Sequence, residues 1–399
     1  MRVSFASLAL VALALLPSAF ADFTVITDLV APELQMDARA IDAHDDIAYV
    51  VGDGVVGVDV TTPSKPRVIA TVSDWLLRGC SSVCAYASPS GARRIAVACE
   101  DSDSLAILDA SDPTGGLVLL GGVSEPVTLR GAASVVVSGS LAFVAARGAS
   151  RVVSVDLSDE SNPRVLSHVK LSGADSITLA PDSHVAVAVG GKHGGGGRVS
   201  LLSYVPSGVL MKAGSVKDGR LEGEASVAVR PFNGDPNVLL AVSAANGGSL
   251  VVVNATSKAA PSVAVALQAA GRESAAPSPD GFEPNGHKSL AGAAGLCVAG
   301  NGVAYVAAAD ASAVNAIDLR ADGAARPKLA RIVSDPRLGG AADLCAAGGR
   351  GKAQEEAGKP RGGGATLFAV VPGTAETRLV VLKDEGETAV ETTGSDGEL

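Results

Sequence analysis

Apolar and polar positions alternate along this chain in a way that resolves it into short apolar runs separated by Gly, Ser, Asp, Asn and Pro. One clear stretch predicts strands at Ser134 to Val137, Leu141 to Ala145, Arg151 to Asp156 and Arg164 to Val169. The turns between them are Ser138-Gly139-Ser140, Arg147-Gly148-Ala149 and Asp159-Glu160-Ser161-Asn162, built from residues that tolerate tight-turn dihedrals. Runs such as Val135-Val136-Val137 and Ala48-Tyr49-Val50-Val51 are apolar at consecutive positions, so these strands need cover on both faces. A parallel sheet would also cover them, but no segment of helical period long enough for its crossovers separates the runs.

The same unit returns along the chain. GVVGVDVTTPSKPRVI at 54–69 is echoed by RVVSVDLSDESNPRVL at 151–166, and a third copy runs through Leu105 to Asp109 and on to Asp112-Pro113. Weaker copies lie at Leu250 to Asn254 with Pro261, and at Asn315 to Asp318 with Pro327. Leu-x-Gly recurs at glycines 79, 131, 173, 223, 292 and 340, each followed four residues later by an apolar residue: Val83, Val135, Ile177, Val227, Leu296 and Leu344. Ile41 holds this place in a first unit, near Met36, that lacks the Leu-x-Gly. Seven units of four short strands predict an all-β protein, a seven-bladed β-propeller of four-stranded antiparallel blades. An exposed edge is avoided if Phe23 to Thr27 completes the last blade beside Arg378 to Leu382, with Thr388 to Thr392 the competing strand. The expected organisation is a signal peptide at 1–21, the propeller at 22–383 and an acidic tail at 384–399.

AYVVGDGVVGVDVTTPSKPRVI at 48–69 resembles the LVIVD repeat, a propeller repeat of secreted and surface proteins. The first and third units match it well and the second in part, whereas Ser203 and Lys383 stand where units four and seven should carry its aspartate. The resemblance implies the propeller and supplies no catalytic residues. In physical terms the repeated aspartate ends the third strand where the chain turns, and its carboxylate is placed to accept backbone N–H groups there. The later proline sets the approach to the outer strand.

The first residues combine Arg2, an apolar run from Leu8 to Leu16 and Ala19-Phe20-Ala21, the pattern of a secretory leader cleaved before Asp22. That run is too short for a membrane span and no later window is long enough, so an extracellular protein exported through the secretory pathway is expected. A net charge of −10 without clustered Lys and Arg speaks against nucleic acid. Trp75 is the only tryptophan, so stacking platforms for sugars or bases are scarce.

No assembled chemistry is legible along the chain. Gly52-Asp53-Gly54-Val55-Val56-Gly57 spells a dinucleotide fingerprint but leads into a strand rather than a helix, and GFEPNGHKS at 281–289 misses the phosphate loop. His44, His168, His184, His193 and His287 are scattered, and the acidic turn 100–104 lacks the glycine and glutamate of a calcium loop, which leaves a solvated turn. In an exported chain, the hairpin of Cys80 to Tyr86 and Arg94 to Cys99 sets Cys80 opposite Cys99, predicting a disulfide. Cys84, Cys297 and Cys345 share one strand position and read as small buried residues. Asn254-Ala255-Thr256 is a glycosylation acceptor.

Propeller ligands usually meet the face that carries the loops between blades and between second and third strands. There the sequence places Trp75, Arg78, Lys192, His193, Phe282 and His287, the last two in the long loop 268–290. The reading that follows is a monomeric, non-catalytic module that binds a protein or glycan through this face, with no cofactor and no metal. The alternative is a propeller enzyme of the metal-dependent hydrolase or lactonase type at the channel mouth. It would draw on inward residues at the starts of the innermost strands, where Asp175, Glu224 and Asp343 interrupt Ala, Ser and Gly.

Overall fold

The computed structural model describes residues 23–112, 116–190, 197–221, 225–232, 235–244, 248–268, 290–299, 303–318, 328–347, 365–373 and 377–385. These residues form seven four-stranded antiparallel sheets. The first sheet runs Ala40–His44, Ile47–Gly52, Gly54–Asp59 and Arg67–Val72, from the axis outward. The next five begin with the innermost strands Cys80–Ala87, Ala132–Ser138, Ala174–Ala180, Ala225–Phe232 and Ala293–Val298. In the fifth, the backbone alone defines most of the sheet, because the side chains at 229–247 are outside the description.

The seventh sheet takes its strands from both ends of the described chain. Asp343–Ala346, Ala365–Val371 and Arg378–Asp384 are followed outward by Phe23–Val30, which pairs antiparallel with Arg378–Asp384 and sets Phe23 opposite Asp384 and Val30 opposite Arg378. Each innermost strand packs on that of the next sheet, and Asp343–Ala346 packs back on Ala40–His44, so the ring is closed. Asp384, assigned by sequence to the tail, ends this strand fully buried, where Tyr305 Oη donates to it at 2.7 Å and Arg331 Nη2 at 2.6 Å. Phe23 packs edge-on against Tyr305 beside this seam.

The consecutive apolar runs follow from this stacking. Ile47, Tyr49, Val51 and Val55 point into the core shared with the second blade, while Ala48, Val50, Val56 and Val58 point into the core shared with Phe368 and Val370 of the seventh. Neighbouring residues of one strand are thus buried on opposite faces by different blades, and short aliphatic side chains fill both gaps.

The repeated aspartate does what its position suggests. Asp59, Asp109 and Asp156 accept the backbone N–H two residues on, from Thr61, Ser111 and Ser158 at 3.0, 2.8 and 2.9 Å, and Asn254 takes Thr256 in the same way at 2.9 Å. The arginine after the repeat's proline is its cross-strand partner. Asp59 lies opposite Arg67, whose Nε donates to it at 2.9 Å, and Asp156 lies opposite Arg164. Cys80 and Cys99 are opposite in register and joined as a disulfide, while Cys84, Cys297 and Cys345 are buried outside it.

The Leu-x-Gly marker is a left-handed turn between blades, with φ of 60° at Gly79, 61° at Gly131 and 82° at Gly340. The first unit, which lacks the glycine, places Asp37 there at φ 52°, a conformation that aspartate tolerates better than most residues. The acidic turn 100–104 departs from the solvated reading. Asp103 Oδ1 accepts the N–H of Gly131 at 2.8 Å, as Asp53 accepts that of Gly79 at 2.8 Å, so these turns clasp the following blade.

Candidate functional site

The innermost strands open at the axial mouth of the ring, and the third residue past each left-handed turn forms a belt there. In the second to fourth blades that residue is Ser82, Ser134 and Ser176, whose hydroxyls accept the N–H of Val135, Ile177 and Val227 in the following blade, each at 3.2 Å. In the seventh blade it is Asp343, whose Oδ2 accepts Ile41 N–H at 3.2 Å and ties the last blade to the first. The first blade has Ala40 there and instead sends Asp42 Oδ2, two residues on, to Ala85 N–H at 2.9 Å.

The residue before the belt varies more, being Arg39, Ser81, Ala133, Asp175, Ala294 and Ala342 in the blades where the mouth reaches it. Together with Glu100 and Arg147 from the turns after second strands, these positions enclose a depression of about 360 Å³. Its charges, Asp343 apart, lie along one arc. Arg147 Nη2 donates to Glu100 Oε1 at 2.6 Å, and its Nη1 lies 3.5 Å from Asp175 Oδ1, while Asp175 Oδ2 accepts Gly190 N–H at 2.9 Å. Arg39 donates through Nε and Nη2 to Asp37 Oδ2 at 3.0 and 2.6 Å. Burial works against the Arg39 charge, but the hydrogen bonds and field of Asp37, with Asp101 and Glu100 beyond, outweigh it and raise its pKa. The other arc is lined by Ser226, Ala294 and Ala342.

A metal does not fit this donor set. Glu100 and Asp175 are engaged by Arg147, Asp343 is engaged by Ile41, and no three His, Cys, Asp or Glu side chains converge among the described residues. The mouth can instead offer guanidinium and hydroxyl donors to a developing oxyanion, and carboxylates to a water molecule.

The residues expected to bind a partner are not gathered here. Trp75 heads a short 3-10 turn, Trp75–Leu77, capped by Asp74, whose Oδ1 accepts Leu76 N–H at 2.9 Å. Leu76 and Leu77 are buried by that turn and Trp75 is turned outward, 63% exposed. Arg78 is exposed beside it, and neither lines the mouth. Lys192, His193, Phe282 and His287 lie outside the described residues, as do Glu224 and the leader-like segment at 1–21. Asn254 is exposed at the end of its strand. Among the described residues no helix is long and apolar enough to cross a membrane.

The belt serines, Arg39 and Arg147 were missed in sequence, whereas Asp343 was picked out as an inward residue. Ser82, Ser134, Ser176 and Asp343 each stand directly before the apolar residue that marks the unit, so a period drawn over polar positions would have found them.

No family model matches the chain and no curated protein matches it, so the LVIVD resemblance has no support from either. Solved structures do match. The chain is similar to hydrazine synthase of Kuenenia stuttgartiensis at 14% identity and a TM-score of 0.58, over 91% of this chain and 98% of that one. It is similar to the periplasmic gluconolactonase of Pseudomonas aeruginosa at 14% identity and a TM-score of 0.54, over 74% and 86%. A streptogramin B lyase matches at 10% identity and a TM-score of 0.54, over 89% and 97%. The expectation of a non-catalytic protein is withdrawn on this finding. It rested on the lack of a contiguous motif, whereas this scaffold serves a gluconolactonase and a lyase, and the mouth here collects its charged groups from separate blades. At these identities the likeness establishes the β-propeller fold.

Proposed function

We propose that the chain is a propeller enzyme of the lactonase type, which opens a small cyclic ester at the mouth of its channel. The observation that carries this reading is Arg147 held between Glu100 and Asp175 in a polar depression on the ring axis. The chemistry needs a water oxygen to bond to the acyl carbon while the ring C–O bond breaks. The ring oxygen takes up a proton, and the product hydroxy acid releases one. Glu100, the more open of the two carboxylates at 21% exposure against 7% for Asp175, is the base in this reading. Arg147 orients it, and Arg39 faces the oxyanion.

The Cys80–Cys99 disulfide supports an oxidising compartment, in keeping with export of the chain and an LVIVD-like secreted protein. The exposed Trp75, with Arg78 beside it, supports a protein or glycan partner on the same face. The test is acid release in a pH-stat assay over a panel of aldonolactones and simple γ- and δ-lactones. Turnover that Glu100→Gln lowers by about a hundredfold is the expected result, on the scale of general-base contributions. A purified, folded protein that opens none of them would overturn the reading.

A further inference from the structure

The mouth is asymmetric in a way that selects a ligand, and this inference rests on the reading above. Arg39 is the only cation among the described residues at its position in the seven blades, where the others are Ser81, Ala133, Asp175, Ala225, Ala294 and Ala342. It spends two of its N–H groups on one oxygen of Asp37. A guanidinium carries five, so three are left to the depression. Asp37 is 60% exposed on the rim and so fixes the arm without filling the mouth. The second cation, Arg147, is already matched by Glu100 and Asp175.

The belt adds donors to the same depression. Ser82, Ser134 and Ser176 each accept a backbone N–H from the following blade, which uses a lone pair and leaves the hydroxyl proton to donate. All three line the depression together with Arg39. A row of O–H donors beside one open guanidinium suits a ligand with several oxygens and one negative charge. The opposite arc of Ser226, Ala294 and Ala342 leaves room for its carbon chain, and the one carboxylate on that side, Asp343, is held by Ile41 N–H.

We propose that the mouth binds a polyhydroxylated monocarboxylate, with its carboxylate on Arg39 and its oxygens on Ser82, Ser134 and Ser176. Such a molecule is what lactone opening would leave behind, so Arg39 is a residue that sets specificity and holds product. The test is calorimetric titration of the intact protein with three probes: D-gluconate, sorbitol, which has the hydroxyls without the charge, and propionate, which has the charge without the hydroxyls. Gluconate should bind at least about tenfold more tightly than either, since each of the other two lacks one of its two recognition elements. Arg39→Gln should reduce gluconate to the level of sorbitol, and Arg39→Lys should recover part of the loss, because an ammonium keeps the charge without the fork. Equal binding of gluconate and sorbitol, no binding of gluconate, or an Arg39→Gln protein that binds gluconate as the parent does would each overturn the proposal. If Arg39→Gln does not fold, the comparison of the three probes on the parent protein decides. Gluconate bound with no lactone opened would sink the enzymatic reading alone, whereas lactones opened with no gluconate bound would sink this one.

Discussion

Asp343 accepts the backbone N–H of Ile41 at 3.2 Å, across 302 residues of sequence, and so joins the innermost strands of the last and first blades. Three serines make the same bond between earlier blades, which makes Asp343 the closing member of a repeated series. Asp343→Ala should leave a buried N–H without its partner and cost about 1–3 kcal/mol, read as a lower denaturant midpoint. Asp343→Asn, which keeps an acceptor, should recover most of it.

The disulfide closes a segment of 19 residues within the hairpin of the second blade. By loop-closure entropy its removal should cost roughly 3 kcal/mol. Thermal melts of a Cys80→Ser, Cys99→Ser protein against the parent, both in reductant-free buffer, should differ accordingly. Equal melting temperatures would show that the hairpin register alone holds the second blade.

Acid should weaken the fold in a defined window. Hydrogen bonds from the side chains of Thr61, Ser111 and Ser158 hold the carboxyls of Asp59, Asp109 and Asp156 below their ordinary value of 3.8. Each then binds fewer protons folded than unfolded near that value, so its contribution is complete above it and is lost as pH falls through the lower, folded value. Stability should be level at neutral pH and decline below the ordinary carboxylate range. Replacing all three by Asn should make that decline shallower.

Arg147→Met should remove the ion-pair partner shared by Glu100 and Asp175 at the mouth. Asp175 is the more buried of the two, and the substitution should cost about 1–3 kcal/mol as a charged hydrogen-bond partner is lost. Lactone turnover should fall by more than about tenfold, mostly in kcat, because the base loses its orienting partner. Unchanged kcat with a raised KM would instead make Arg147 a binding group.

The repeat was legible because a blade covered on both faces must write apolar residues at consecutive positions, as Tyr49, Val50 and Val51 do. The disulfide followed from one turn, and the role of Phe23–Val30 from the need to leave no bare edge. The mouth was not legible by motif. Each blade contributes one or two side chains to it, so Arg39, Glu100, Arg147 and Asp175 stand far apart in the chain and meet only when blades one to four stack side by side. Asp175 and Asp343 were visible as breaks in a run of small residues, but the partners that define them, Arg147 and Ile41, come from other blades. The Asp-to-Arg pairing across the outer hairpin was written in the repeat itself, in Asp59 with Arg67 and Asp156 with Arg164, and needed only the strand register to be seen.

The seam between Phe23–Val30 and Arg378–Asp384 also dictates a timetable. The strand that leaves the ribosome ahead of every blade has no mate until more than three hundred further residues have been polymerised. A nascent chain with six finished blades is therefore an open crescent with two greasy flanks, and pairings this distant in sequence are the slow ones. Sealing the crescent brings Asp343 to Ile41 and swings the arc of Ser226, Ala294 and Ala342 round to face the charges of blades one to four, so the mouth gains its far wall only when the two ends of the chain meet.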